Sequence, residues 1–276
     1  MLTIRLPPVG STIRLLVQDF LLELFNGAPN YDVKIKVRDR DTIELLGSGK
    51  DSITELFNSL FNSIGNVIEK RIEESGVLDI MIHQNDKRTL SDMLGRELRR
   101  DERLLSVASQ ILKNTNLSFE DLQELSIITY KGRKSLTIVL GNDVYAIPQC
   151  ISFDRYESKY DFLGGRFSSN KMKFKVSKVW YIILLAGLGI SYLGQNRQGK
   201  KKSYIYLIHA PRDLIEIYAS KPEIVNLLMG DFGLINTIFL DPKIMPNYGI
   251  PYHMYLASTL MLELKKSGNM DLIRLY

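Results

Sequence analysis

Residues 170–196 read N-K-M-K-F-K-V-S-K-V-W-Y-I-I-L-L-A-G-L-G-I-S-Y-L-G-Q-N, and a change of period inside this stretch decides how the chain is assembled. In its first half Lys171, Lys173 and Lys175 alternate with Met172, Phe174 and Val176. A strand sends alternate residues to opposite faces, so the pattern predicts a ribbon with an apolar underside and a row of ammonium groups on top, about 6.5–7 Å apart. That interval is comparable to the spacing of nucleic-acid phosphates. The second half, residues 179–196, holds 18 residues without a charge. A membrane-spanning helix needs about 20 apolar residues, and this run is interrupted by Gly187, Gly189, Ser191 and Gly194. It therefore predicts a buried core helix whose small residues admit a closely packed neighbour. The competing reading is an apolar membrane insert over 179–193, with Trp180 and Tyr181 as interfacial anchors and basic groups on its flanks.

The same region carries the charge of the protein. Of 276 residues, 36 are Lys or Arg and 31 are Asp or Glu, a net charge of +5. Between Asp161 and Asp213 there is no acidic residue, but there are ten basic ones: Arg166, Lys171, Lys173, Lys175, Lys178, Arg197, Lys200, Lys201, Lys202 and Arg212. The rest of the chain holds 26 basic against 31 acidic residues, a balance of −5. Gathering one sign in one region costs self-repulsion, and the field it creates attracts phosphates or an anionic surface. Arg166 follows the Gly164-Gly165 turn, and Gln195 to Lys202 reads as an exposed loop with Arg197 and three consecutive lysines. The bland alternative is a lysine-rich edge strand, where charge discourages edge-to-edge pairing.

Outward from this stretch the chain reads as α+β: antiparallel sheet and hairpins with packed helices, followed by a mainly helical C-terminal part. Residues 1–210 form the mixed, nucleic-acid-binding part and 211–276 the helical one. Leu2–Leu6 predicts a strand closed by Pro7-Pro8, and Ser11 caps a helix over residues 13–25. Alternation over 31–38 and a turn at 39–41 predict a hairpin with the strand 42–46. Residues 51–74 predict a long helix opened by a Ser52–Glu55 capping box. Residues 92–114 predict a second helix, on which Arg96, Arg99, Arg100 and Arg103 fall at i, i+3, i+4 and i+7. That spacing makes a secondary basic face, or a solvated face paired with Glu97, Asp101 and Glu102. Ser118 and Asp121 open a short helix to Leu125, and strands over 126–130, 135–140 and 144–147 read as a meander. Residues 203–209 predict another strand.

Catalytic patterns are nearly absent. Gly47 to Ser52 lacks the first glycine of a phosphate loop, where Glu44 stands, and Asp51 follows Lys50 in place of Ser or Thr. Asp231-Phe232-Gly233 has no companion kinase motifs. His209 and His253 read as hydrogen-bonded core histidines, and Cys150 as a buried, inert thiol; one cysteine excludes an internal disulfide. No cofactor or metal and no enzymatic activity is expected, the alternative being a nuclease with a scattered carboxylate site. The N-terminus enters a Pro-Pro turn in place of a signal peptide, so the expected address is cytoplasmic.

The strand L-T-I-R-L-P-P at the N-terminus, the run F-L-G-G-R at 162–166 and the run V-S-K-V-W-Y-I-I-L-L-A-G-L-G-I-S-Y-L-G at 176–194 together resemble the large subunit of archaeal type I-A CRISPR interference complexes (Cascade). The resemblance implies a non-catalytic subunit in antiviral defence. Such a subunit holds the 5′ end of guide RNA, inspects the protospacer-adjacent motif in target DNA, and works with other Cascade subunits and a nuclease-helicase. The chain is short for a large subunit with an extended C-terminal helical bundle.

Overall fold

The computed structural model describes residues 1–8, 11–75, 79–132, 136–142, 144–151, 172–198, 202–207 and 209. The expected helical part 211–276, its boundary at 210, and His253 lie outside them. The fold is α+β. Strand β1 (Leu2–Arg5) is followed by α1 (Thr12–Gly27), the hairpin β2 (Lys34–Asp39) and β3 (Thr42–Leu46), and the long helix α2 (Lys50–Ser75). Helices α3 (Lys87–Leu94), α4 (Leu104–Lys113) and α5 (Phe119–Gln123) lead to β4 (Ile128–Lys131), β5 (Leu136–Leu140) and β6 (Tyr145–Ala146). Strand β7 (Met172–Val176) then runs into α6 (Lys178–Ser191) and the hairpin β8 (Tyr192–Gln198) and β9 (Lys202–Leu207).

Local signals explain several boundaries. Ser11 accepts the Arg14 backbone N–H at 3.2 Å and starts α1 as expected. Ser118 and Asp121 form the predicted capping box of α5. The capping box assigned to α2 is corrected: the helix starts at Lys50, which puts Ser52 inside the first turn, with its Oγ 2.8 Å from Ser48 Oγ.

The first sheet is antiparallel in the order β1-β3-β2, with Leu2, Ile4, Ile43 and Leu45 in the core. The expected meander is also corrected. β4 and β5 form a hairpin, but the second sheet has the order β4-β5-β7-β6, and β7 lies parallel to β5. Ile138 and Leu140 pair with Phe174 and Val176, so burying the apolar side of the lysine ribbon against β5 wins over local strand-to-strand connection.

Helix α6 is buried on every side, from Val179 to Ser191, and packs against α1, α2 and α4. Phe20, Phe57 and Phe61 form an aromatic cluster between α1 and α2, with ring centroids 5.4–6.1 Å apart. The apolar run thus makes a core helix, as expected, but a shorter one. At 14 residues it is about 21 Å long, and from Tyr192 the chain is strand. No helix among the described residues is long and apolar enough to cross a membrane.

Two arginines, Arg14 buried and Arg71 half-buried, hold this arrangement. Arg14 donates to the Pro7 and Arg40 carbonyls at 3.0 and 2.6 Å and to Asp41 Oδ1 at 2.6 Å, which ties the start of α1 to the β2–β3 turn. Arg71 on α2 donates to the carbonyls of Gly189 and Tyr192 at 2.8 and 2.6 Å. Those carbonyls end α6, and a cation suits the negative pole of the helix. Burial lowers the Arg71 pKa to about 10.

Candidate nucleic-acid interface

Strand β7 delivers what its alternation predicts. Phe174 and Val176 are buried and Lys173 and Lys175 are exposed. β7 has β5 along its whole length on one side, whereas the two-residue β6 covers only Lys175 and Val176 on the other. Lys175 is therefore flanked on both sides, and edge protection can account for Lys173 alone.

The register supplies a neighbour that the sequence hid. Lys131 on β4 pairs with Thr137, and Thr137 with Lys173, so one row of the sheet reads Lys131, Thr137, Lys173. The next row of that face reads Thr129, Val139, Lys175, Ala146, and within it Val139 is buried. Lys131 and Thr129 are exposed. Ideal sheet spacing puts Lys173 and Lys175 about 6.6 Å apart along the strand, and Lys131 about 9.6 Å from Lys173 across two strands. Three ammonium groups and two threonine hydroxyls thus share one face.

Lys178, also exposed, is the first residue of α6. A cation at a helix N-terminus meets the positive pole of the macrodipole, at a cost of about 0.3–1 kcal/mol. The first turn of α6 carries no acidic residue to offset it. Glu124 lies beside this end, near Gly141, where the Asn142 amide donates to it. The Glu124 carboxylate thus offsets part of the positive potential where β7 passes into α6.

The remaining members of the predicted site divide. Arg197 stands opposite Ser203, and Lys202 opposite Gln198, in the β8–β9 hairpin, which replaces the expected exposed loop. Arg166, Lys171, Lys200 and Lys201 lie outside the described residues. The base of the hairpin is anchored twice: Tyr192 is buried and its carbonyl accepts from Arg71, and His209 Nδ1 lies 2.6 Å from the buried Asp19 Oδ2. His209 is thus hydrogen-bonded, as its surroundings suggested, and Cys150 is buried. Among the described residues no three His, Cys, Asp or Glu side chains converge on a metal position.

The helix expected over 92–114, from which the secondary basic face took its spacing, is corrected. Arg96, Arg99, Arg100 and Arg103 do not share a helix, because α3 ends at Leu94 and α4 begins at Leu104. Gly95 takes a left-handed conformation, φ +67°, which stops α3. The intervening turn closes on Glu102, whose carboxylate accepts both Arg96 guanidinium nitrogens at 2.6 and 3.0 Å and the Arg99 backbone N–H at 2.6 Å. The Arg96 hydrogen bonds hold the Glu102 carboxyl below the usual carboxylate range against the opposing effect of desolvation. A depressed carboxyl pKa stabilises the fold fully above the unfolded value, about 4.3, and this contribution disappears as pH falls through the lower folded value. Arg96→Gln should therefore show a smaller loss of melting temperature than the parent protein between pH 6 and strongly acidic buffer; equal losses would refute the assignment.

With the geometry established, comparison with known proteins gives no match: no family model, no curated protein and no solved structure resembles the chain at a significant level.

Proposed function

We propose that the chain is a cytoplasmic nucleic-acid-binding subunit without chemistry of its own, which holds a phosphate backbone on the outward face of β7. The observation that carries this reading is the exposure of Lys173 and Lys175 on one face of β7, with Lys131 brought alongside by the register. Electrostatic binding of this kind releases counterions from the polyanion, so affinity falls linearly on logarithmic axes as salt rises. Within the type I-A Cascade reading, which rests on the sequence resemblance, the bound strands are the guide RNA 5′ region and the target DNA. The partners are then other Cascade subunits and a nuclease-helicase.

The test is a salt titration of RNA and duplex DNA binding with Lys173→Gln/Lys175→Gln. The slope of log K against log salt should fall by about 1.8 on duplex DNA and about 1.4 on a single strand if both lysines contact phosphate. A slope equal to that of the parent protein removes the face from the ligand path. Copurification with a guide RNA and backbone subunits tests the Cascade assignment separately.

A further inference from the structure

Lysine alternates with apolar residues a second time in this chain, K-I-K-V-R at 34–38, and this segment is β2. Ile35 and Val37 pack against the core, whereas Lys34, Lys36 and Arg38 are exposed. In the β1-β3-β2 sheet Lys36 pairs with Glu44, Glu44 with Thr3, and Thr42 with Arg5. The partners of opposite parity, Leu2, Ile4, Ile43 and Leu45, are in the core, so the cations and Glu44 share the outward face. A bulge between Val37 and Asp39 could have turned Arg38 away. It does not, because Arg38 Nε donates to Glu44 Oε1 at 2.7 Å.

The carboxylates near this face are already engaged. Arg38 holds the buried Glu44, Asp39 accepts the Asp41 backbone N–H at 2.8 Å, and Asp41 pairs with the buried Arg14. Lys34 and Lys36 are left without an ion-pair partner among the described residues. Edge protection, for which lysine is the favoured charge, accounts for Lys34 and Lys36 taken by themselves on the edge strand β2. It leaves Arg5 unexplained, because β1 packs beside the turn at Glu124–Ser126 that leads into β4. The two sheets meet there: Tyr130 of β4, 58% exposed, lies within the electrostatic reach of Arg5 and Asp41. The next residue is Lys131, a member of the β7 face.

We infer that the outward face of the β1-β3-β2 sheet, carrying Arg5, Lys34, Lys36 and Arg38, is a second phosphate-binding surface for nucleic acid. It rests on the reading of the β7 face for its ligand class, and extends it: the chain holds a longer backbone than one strand covers. Lysines on alternate strand residues stand about 6.6 Å apart on both faces, so both present the same repeat to a polyphosphate.

The experiment compares five full-length proteins: the parent, Lys34→Gln/Lys36→Gln, Lys34→Arg/Lys36→Arg, Lys173→Gln/Lys175→Gln, and the combination of the two glutamine pairs. Salt titrations use a long single-stranded RNA and a long DNA duplex. Lys34→Gln/Lys36→Gln should lower the slope by about 1.8 on duplex and about 1.4 on RNA, the combination should lower it further, and Lys34→Arg/Lys36→Arg should restore it. If only the β7 variant changes the slope, this inference is overturned and the β7 reading stands. If only the β2 variant does, the β7 reading falls and the second surface remains. If the β2 variant keeps its nucleic-acid slope but loses binding to phosphatidylserine vesicles, the surface reads lipid and the inference is wrong. Superimposable thermal melts of all five proteins show that the changes in slope are not changes in folding.

Discussion

Gly187→Ala is expected to cost about 3 kcal/mol or more, while Gly189→Ala, two residues away in the same helix, costs about 1 kcal/mol or less. Both glycines are fully inside α6, and in both positions alanine gains about 1 kcal/mol of helix propensity. What differs is the obstacle. A Cβ on Gly187 would stand 2.1 Å from the Leu16 carbonyl oxygen and 2.7 Å from its carbonyl carbon, which are main-chain atoms of α1. No rotamer change relieves that overlap, so α1 and α6 must separate and the packing between them is lost. A Cβ on Gly189 would meet Ile68 Cδ1 at 2.1 Å and Cγ1 at 2.7 Å, which are side-chain atoms that can shift where a main chain cannot. Chemical denaturation reads the difference, and at about 2–4 °C per kcal/mol the melting temperature of Gly187→Ala should drop by about 6–12 °C. Ile68→Ala, which removes both overlapping atoms, should relieve Gly189→Ala and leave Gly187→Ala unimproved. Equal stability of Gly187→Ala and the parent would mean that the two helices do not touch backbone to backbone.

These glycines also mark how far the sequence could be read. Periodicity alone located β1, α1, the β2–β3 hairpin, α2 and β7, because each buries one regular face. It also identified the apolar run as a core helix with small residues for close approach. It failed where the deciding partner is distant in the chain. Nothing near residues 136–140 announces that they pair in parallel with 172–176, so the meander looked sufficient, and Lys131 stayed unconnected to the lysine ribbon. The predicted helix over 92–114 failed for a different reason. Its arginine spacing is helical, but Glu102 satisfies Arg96 and the Arg99 backbone better in a turn, and Gly95 allows the stop. The exposed loop at 195–202 became a hairpin because Tyr192 is buried at its base and pairs with Leu207, a contact no local pattern reports. The cations of β2 were visible as an alternating strand. Their nearby acids, Asp39, Asp41 and Glu44, concealed the excess charge until the structure showed each carboxylate already taken.

Arg71→Met should be the other large effect, at about 2–4 kcal/mol, since each buried carbonyl left without a donor costs about 1–3 kcal/mol. The methionine recovers part of this by filling the space and by removing a buried charge whose desolvation is unfavourable, which is why the sum stays below the upper limit. The depressed pKa of Arg71, about 10, reports that same desolvation. Arg71→Lys separates the two contributions. It keeps a cation at the end of α6, but a single ammonium replaces the fork that reaches Gly189 and Tyr192 together, so its cost should fall between those of the parent and Arg71→Met. Because Tyr192 is both the end of α6 and the start of β8, loosening it should also unfasten the hairpin that carries Arg197. Amide hydrogen exchange would then quicken in residues 192–198 and 202–207 before it does in β7. If exchange in the hairpin is unchanged while global stability falls, Arg71 secures the helix end alone and the hairpin is held by the Asp19–His209 contact instead.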